Sequence, residues 1–90
     1  MMDFIDHPQG TQAMLGSTLV GIMRVGRTGE GSVVRVMIRS REGDLIVTAF
    51  EGDEIAIPGD GSAVVGPATA PEETSARWRI ALAHRPSPTP

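Results

Sequence analysis

Ser17-Thr-Leu-Val-Gly-Ile-Met-Arg-Val25 leads into Gly26-Arg-Thr-Gly-Glu-Gly31, then Ser32-Val-Val-Arg-Val-Met-Ile-Arg39, Leu45-Ile-Val-Thr-Ala-Phe50 and Glu54-Ile-Ala-Ile57. The second long segment alternates. Val34, Val36 and Ile38 fall on one side of an extended chain, and Val33, Arg35, Met37 and Arg39 on the other. Side chains on a strand alternate with period two, so this is a half-buried strand with arginines on its open face. Thr18–Val25 has apolar residues on both sides, Leu19 and Met23 against Val20 and Ile22, which suits a central or covered strand. Gly21 inside it predicts a bulge or a close backbone approach. Gly26–Gly31 is glycine at three of its six positions, as a hairpin loop that needs positive φ would be.

Glu42-Gly-Asp44, Glu51-Gly-Asp53 and Pro58-Gly-Asp-Gly61 punctuate the chain beyond Arg39 at short, even intervals. Short Val/Ile/Phe-rich segments between regular turns predict an all-β domain. The expected fold is five or six short antiparallel strands, closed into a small barrel of the OB or SH3 kind or packed as a two-layer β-sandwich.

Outward from this stretch the signal weakens. Residues 1–16 contain Pro8, Gly10 and Gly16 with no sustained period, and read as an N-terminal arm with Phe4, Ile5, Met14 and Leu15 as its apolar points. Ser62–Gly66 supplies one more strand. Thr69-Ala-Pro-Glu-Glu73 has the composition of a helix start. Yet Ala76, Trp78, Ile80 and Leu82 alternate with Arg77 and Arg79, which favours a closing strand at Ala76–Ala83 and leaves Pro71–Arg85 open between helix and strand. Pro86, Pro88 and Pro90 mark a proline-rich tail. The organisation expected is an arm at 1–16, one β domain at 17–85 and a tail at 86–90.

Ninety residues make one domain with a thin core. The chain has no cysteine, which rules out disulfides and thiolate metal sites, and only two histidines, His7 and His84. Small domains without such staples gain stability by association. All eight basic residues are arginine, whose planar fork suits interfacial pairing and oxyanions better than lysine does. The net charge of −3 argues against generic nucleic-acid binding. Charge is also blocked by sign. Arg24–Arg41 holds five arginines against one glutamate, whereas Glu42–Glu73 holds eight acids and no arginine. No apolar run approaches the roughly 20 residues of a membrane span, and the acidic N-terminus lacks the basic region of a signal peptide. A cytoplasmic or virion location, with no membrane partner, is the expectation.

Arg24, Arg27, Arg35, Arg39, Arg77 and Arg79 are the candidate interface or anion-binding residues, since arginines on one open sheet face can meet carboxylates or phosphates. Stacking aromatics, which an oligonucleotide-binding barrel uses, are nearly absent: Trp78, Phe4 and Phe50 only, the first and last being claimed by the core. Gly26–Gly31 could cradle an anion, but it matches neither phosphate-loop pattern, and Glu30 opposes that use. Asp3, Asp6 and His7 offer metal-ligand types without fixed geometry. The acids of the three turns lack the spacing of a calcium loop and belong at strand ends. No serine sits in a nucleophile elbow, and His84 lies beside a proline-rich terminus. No catalytic residue, metal site or cofactor is predicted, and the chain is not read as an enzyme.

Leu19–Val65 loosely resembles the small β-barrel modules appended to transporter ATPases through Pro58-Gly-Asp-Gly-Ser-Ala-Val-Val65. Val25-Gly-Arg-Thr-Gly29 with Val33-Val-Arg-Val36 looks like a stretch of an OB-like small-subunit ribosomal protein. Each match covers a few turn residues and implies a small β-barrel, with no function attached.

The functional expectation is a non-enzymatic assembly module that forms homo-oligomers or docks on a larger protein complex, such as a virion decoration or connector subunit. The alternative is a β-barrel that binds nucleic acid or an oxyanion on its arginine face.

Overall fold

The computed structural model describes residues 3–73 and 76–87. Its eight strands are β1 (Phe4–Pro8), β2 (Gln12–Leu15), β3 (Thr18–Thr28), β4 (Gly31–Ser40), β5 (Gly43–Phe50), β6 (Glu54–Ala56), β7 (Ser62–Thr69) and β8 (Arg79–Arg85). They form two antiparallel four-stranded sheets in the orders β1-β8-β7-β6 and β2-β3-β4-β5. The all-β expectation therefore holds as a β-sandwich. It is not a closed barrel, because the chain passes between sheets at Pro8–Gln12 and at Phe50–Glu54 without joining their edges into one ladder.

Each four-stranded sheet is covered on one side by the other, so in β2, β3 and β4 one side-chain parity is buried, whereas β8 buries Ile80–Ala83 on both faces. In β4, Val34, Val36 and Ile38 are fully buried, while Arg35 and Arg39 are exposed. β3 puts Val20 and Ile22 inside, β7 Ala63 and Val65, and β8 Ile80 and Leu82. The core is wholly aliphatic, with Val47 and Trp78 packed on its margin. In β3 the pairing to β4 slips between Ile22 and Arg24, so Met23 is the extra residue of a bulge two places after Gly21.

Three expectations need correction. In the expected N-terminal arm at 1–16, the described residues 3–16 belong to the sandwich: β1 pairs with β8 and β2 with β3, one strand in each sheet, and residues 1–2 lie outside the described residues. Those strands are short, and Phe4, Ile5 and Met14 remain exposed, so no alternation announced them. The closing strand starts at Arg79, not Ala76, and the described part of Pro71–Trp78 has no helix. Thr74 and Ser75 within that stretch, and Pro88–Pro90 of the expected tail, lie outside the described residues. Lastly, the β3–β4 loop is only Gly29-Glu30, and of its flanking glycines only Gly31 has positive φ, at 115°.

Candidate functional site

The slipped register of β3 brings Arg24 directly opposite Arg35, and Arg35 in turn opposite Thr48 of β5. Residues in register share a sheet face, so these three form a row across the outer face of the second sheet. Gly26, two places beyond Arg24 and opposite Val33, leaves a depression at the end of the row: a β-carbon built there meets nothing within 4 Å. Trp78, from the segment leading into β8, closes the side. The result is a groove of about 450 Å³ lined by Arg24, Arg35, Thr48, Gly26, Arg27 and Trp78 among others.

Arg27 turns away from that row. Its partner in register is the buried Ser32, and its Nη2 donates to the carbonyl of Ala68 in β7 at 2.7 Å. Its guanidinium lies 5.8 Å from the centre of the Trp78 ring, within cation–π range. Trp78 is pinned from behind as well: its carbonyl accepts the amide of Gln9 at 2.8 Å, and Gln9 Oε1 accepts the amide of Val25 at 2.8 Å. The half-buried ring is thus both core margin and groove wall.

The other predicted arginines lie elsewhere. Arg39 is on the same strand as Arg35 but forms an exposed ion pair with Asp44 at 3.8 Å. Arg77 donates to the carbonyl of Gln9 at 3.3 Å, and Arg79 begins β8 in the opposite sheet. Of six candidates, the structure gathers Arg24, Arg27 and Arg35 at one groove and disperses Arg39, Arg77 and Arg79. Among the described residues the only ion pairs are Arg39–Asp44 and Arg85–Glu54. Among the described residues, the acidic block therefore pairs with the arginine block only at Arg39.

A second cluster sits at the far end of the sandwich. Asp60, in the β6–β7 turn, accepts hydrogen bonds from the hydroxyls of Ser17 in the β2–β3 turn and of Thr18 at the start of β3. Those bonds, Thr18's first, hold its carboxyl below the usual carboxylate range. The Asp60 carbonyl meets His84 Nε2 at 2.7 Å. This is a tie between the two sheets, with both hydroxyls meeting Asp60 Oδ2. Among the described residues no group of histidines and acids is placed to hold a metal, and no helix is long and apolar enough to cross a membrane.

The sheet edges differ in kind. β1 carries Asp6 and Pro8, β2 has four residues, and β6 has three including Glu54. β5 has eight, and from Leu45 to Phe50 it contains no charge and no proline. Leu45 is 48% exposed and Ile46 54%. Leu45 pairs with the buried Ile38, so it points inward, yet the facing β6 is too short to cover it. An opening of about 950 Å³ results, bounded by the β4–β5 hairpin and Pro58–Asp60. Sequence reasoning did not single out Leu45, Ile46 or Thr48, because only strand order makes β5 an edge and Thr48 a neighbour of Arg35. Trp78 carried a signal, as the chain's one tryptophan set between two arginines.

No protein-family model, curated protein or solved structure matches this chain.

Proposed function

We propose that the protein is a non-enzymatic assembly module that associates with a second copy of itself through β5. The observation that carries this reading is the contrast among the four edges. Open strand edges template pairing with other chains, and monomeric proteins blunt them with short strands, charges, prolines or bulges. β1, β2 and β6 are blunted in these ways. β5 is guarded only at its ends, by Asp44 and by Asp53 on the backbone of Phe50; Leu45-Ile-Val-Thr-Ala49 between them is not, and it has the strand propensity and absence of charge that favour intermolecular pairing.

A copy of β5 is the occupant that fits this edge. Antiparallel pairing about a twofold axis joins the two outer sheets into one continuous sheet and satisfies the open backbone groups of both strands at once. Between Leu45 and Phe50 it brings no charges together, since that segment has none. It also places Leu45 of each copy beside the uncovered inner face of the other's edge. Burial of Leu45 and Ile46 supplies the apolar contribution, roughly 25 cal/mol for each Å² removed from water.

Light scattering over a range of concentration and salt tests the proposal. The expected result is a dimer that persists at high salt, because the contact is apolar and backbone-mediated. Ile46→Lys, which adds the charge that guards other edges, yields a folded monomer. A wild-type protein that stays monomeric at every concentration overturns the reading.

A further inference from the structure

The row Arg24–Arg35–Thr48 is made wholly of groups that can donate hydrogen bonds, and two of them are like charges directly opposite each other. Such a pairing opposes folding. The chain has eleven acidic residues, yet none lies within 4 Å of either guanidinium among the described residues. The position across from Arg35 is a hydroxyl instead. Two exposed guanidinium forks and a hydroxyl, left without an acceptor on an open face, call for a ligand that is acceptor-only and carries more than one negative charge. Phosphate has that chemistry, and arginine binds it bidentately.

The surroundings have the form of a site. Gly26 holds the floor open where a side chain would fill it. Trp78 forms one wall, within cation–π range of Arg27, whose own guanidinium is held on Ala68. The volume of about 450 Å³ exceeds a bare phosphate and lies within the range of small-ligand sites. The flat apolar wall beside a cationic row suits a phosphate attached to a compact, partly apolar body.

We propose that this groove binds a small phosphate ester, with the phosphoryl oxygens between Arg24 and Arg35, a further hydrogen bond from Thr48, and the remainder against Trp78. The groove lies on the face of the sheet and the assembly edge at its margin, so this inference does not depend on the self-association reading.

Trp78 is the only tryptophan in the chain, so intrinsic fluorescence reports the groove wall alone. The experiment titrates inorganic phosphate and a nucleoside monophosphate, with the corresponding nucleoside as the uncharged control, at constant ionic strength. It uses the full chain and the Ile46→Lys variant. The expected result is a saturable change with both phosphates, none with the nucleoside, and tighter binding for the monophosphate than for inorganic phosphate. Arg24→Gln, Arg35→Gln and Gly26→Val each weaken binding by about tenfold or more, as the loss of a charged hydrogen bond or of the space implies. Arg39→Gln, on the same strand but outside the groove, binds as the wild type does. Absence of a saturable response, or a response that Arg24→Gln and Gly26→Val leave intact, overturns the proposal. Circular dichroism of each variant shows that a lost response comes from the site and not from misfolding.

Discussion

Ser32 Oγ accepts the amide of Ala68 at 2.9 Å, from a buried position thirty-six residues earlier in the chain. Arg27 takes the carbonyl of the same Ala68. The two residues face each other across the β3–β4 hairpin, and together they satisfy both backbone groups of a residue at an irregularity. The β7–β8 register shifts between Val65 and Ala68, so Ala68 loses part of the ladder that would otherwise pair it. The hairpin of one sheet repairs a defect in the other.

Ser32→Ala removes the acceptor and leaves a buried amide unpaired. The expected cost is about 1–3 kcal/mol, since an orphaned buried donor forfeits its hydration without compensation. In a domain of this size each kcal/mol lowers Tm by roughly 4–8 °C. Calorimetry of the variant checks the figure, and a Tm within a degree of the wild type would show that the bond contributes nothing.

Two glycines separate local freedom from steric need. A β-carbon at Gly61 would collide with the carbonyl oxygen of Arg85, and its φ is +83°. Gly61→Ala is expected to cost more than about 2 kcal/mol, from strain and the displacement of the end of β8. At Gly29, in the hairpin turn, a β-carbon meets nothing within 4 Å and φ lies outside the left-handed region. Gly29→Ala is expected to be neutral or to stabilise by up to about 1 kcal/mol through the unfolded chain. Urea titrations of the two variants should diverge in midpoint; equal midpoints would contradict the account.

Arg24→Gln and Arg35→Gln should each raise Tm in the absence of phosphate. Relief of a like-charged cross-strand pair is worth about 0.2–1 kcal/mol. The gain should shrink at high salt, where exposed charges are screened. A loss of stability in both variants would mean that the arginines serve the fold instead of a ligand.

Acid should loosen the tie between the β2–β3 and β6–β7 turns. Hydrogen bonds from Thr18 and Ser17 lower the pKa of Asp60 from the ordinary 3.8. The folded state therefore binds fewer protons than the unfolded chain around that value. The stabilisation is complete above pH 3.8 and is lost as pH falls through the lower folded pKa. Asp60→Asn should flatten this acid limb. His7 acts in a higher window: burial lowers its pKa from 6.5, against the opposing effect of Asp6. Protonation thus favours the unfolded chain, and stability should decline as pH falls from 6.5 toward the folded pKa. His7→Gln should remove that decline. Thermal melts across the acid range check both signs.

The alternation in Ser32–Arg39 was sufficient to place Val34, Val36 and Ile38 in the core and the arginines outside, because period two depends only on the strand itself. β1 left no mark because none of its residues is buried, and β2, although it alternates, is only four residues long, too short to show a period. Arg24, Arg27 and Arg35 were legible as candidates from residue type. That Arg24 and Arg35 meet, while Arg39 pairs with Asp44, depends on the bulge at Met23, and a register slip of one residue leaves no unique mark in sequence. The open edge at β5 was out of reach for a different reason. Strand order comes from contacts distant along the chain, and Leu45–Phe50 reads equally well as a central strand.

Hydrogen exchange resolved along the chain, at low and high protein concentration, tests the self-association of β5 most directly. Every second amide of β5 points away from β4; that of Phe50 is held by Asp53 Oδ2 at 2.9 Å, whereas those of Ile46 and Thr48 have no partner among the described residues. These amides should be protected at high concentration and exchange freely on dilution, while the edges of β1 and β6 behave alike at both. In Ile46→Lys the protection should vanish, with that of β3, β4 and β8 unchanged. Outward β5 amides that exchange freely at every concentration would contradict the assembly reading.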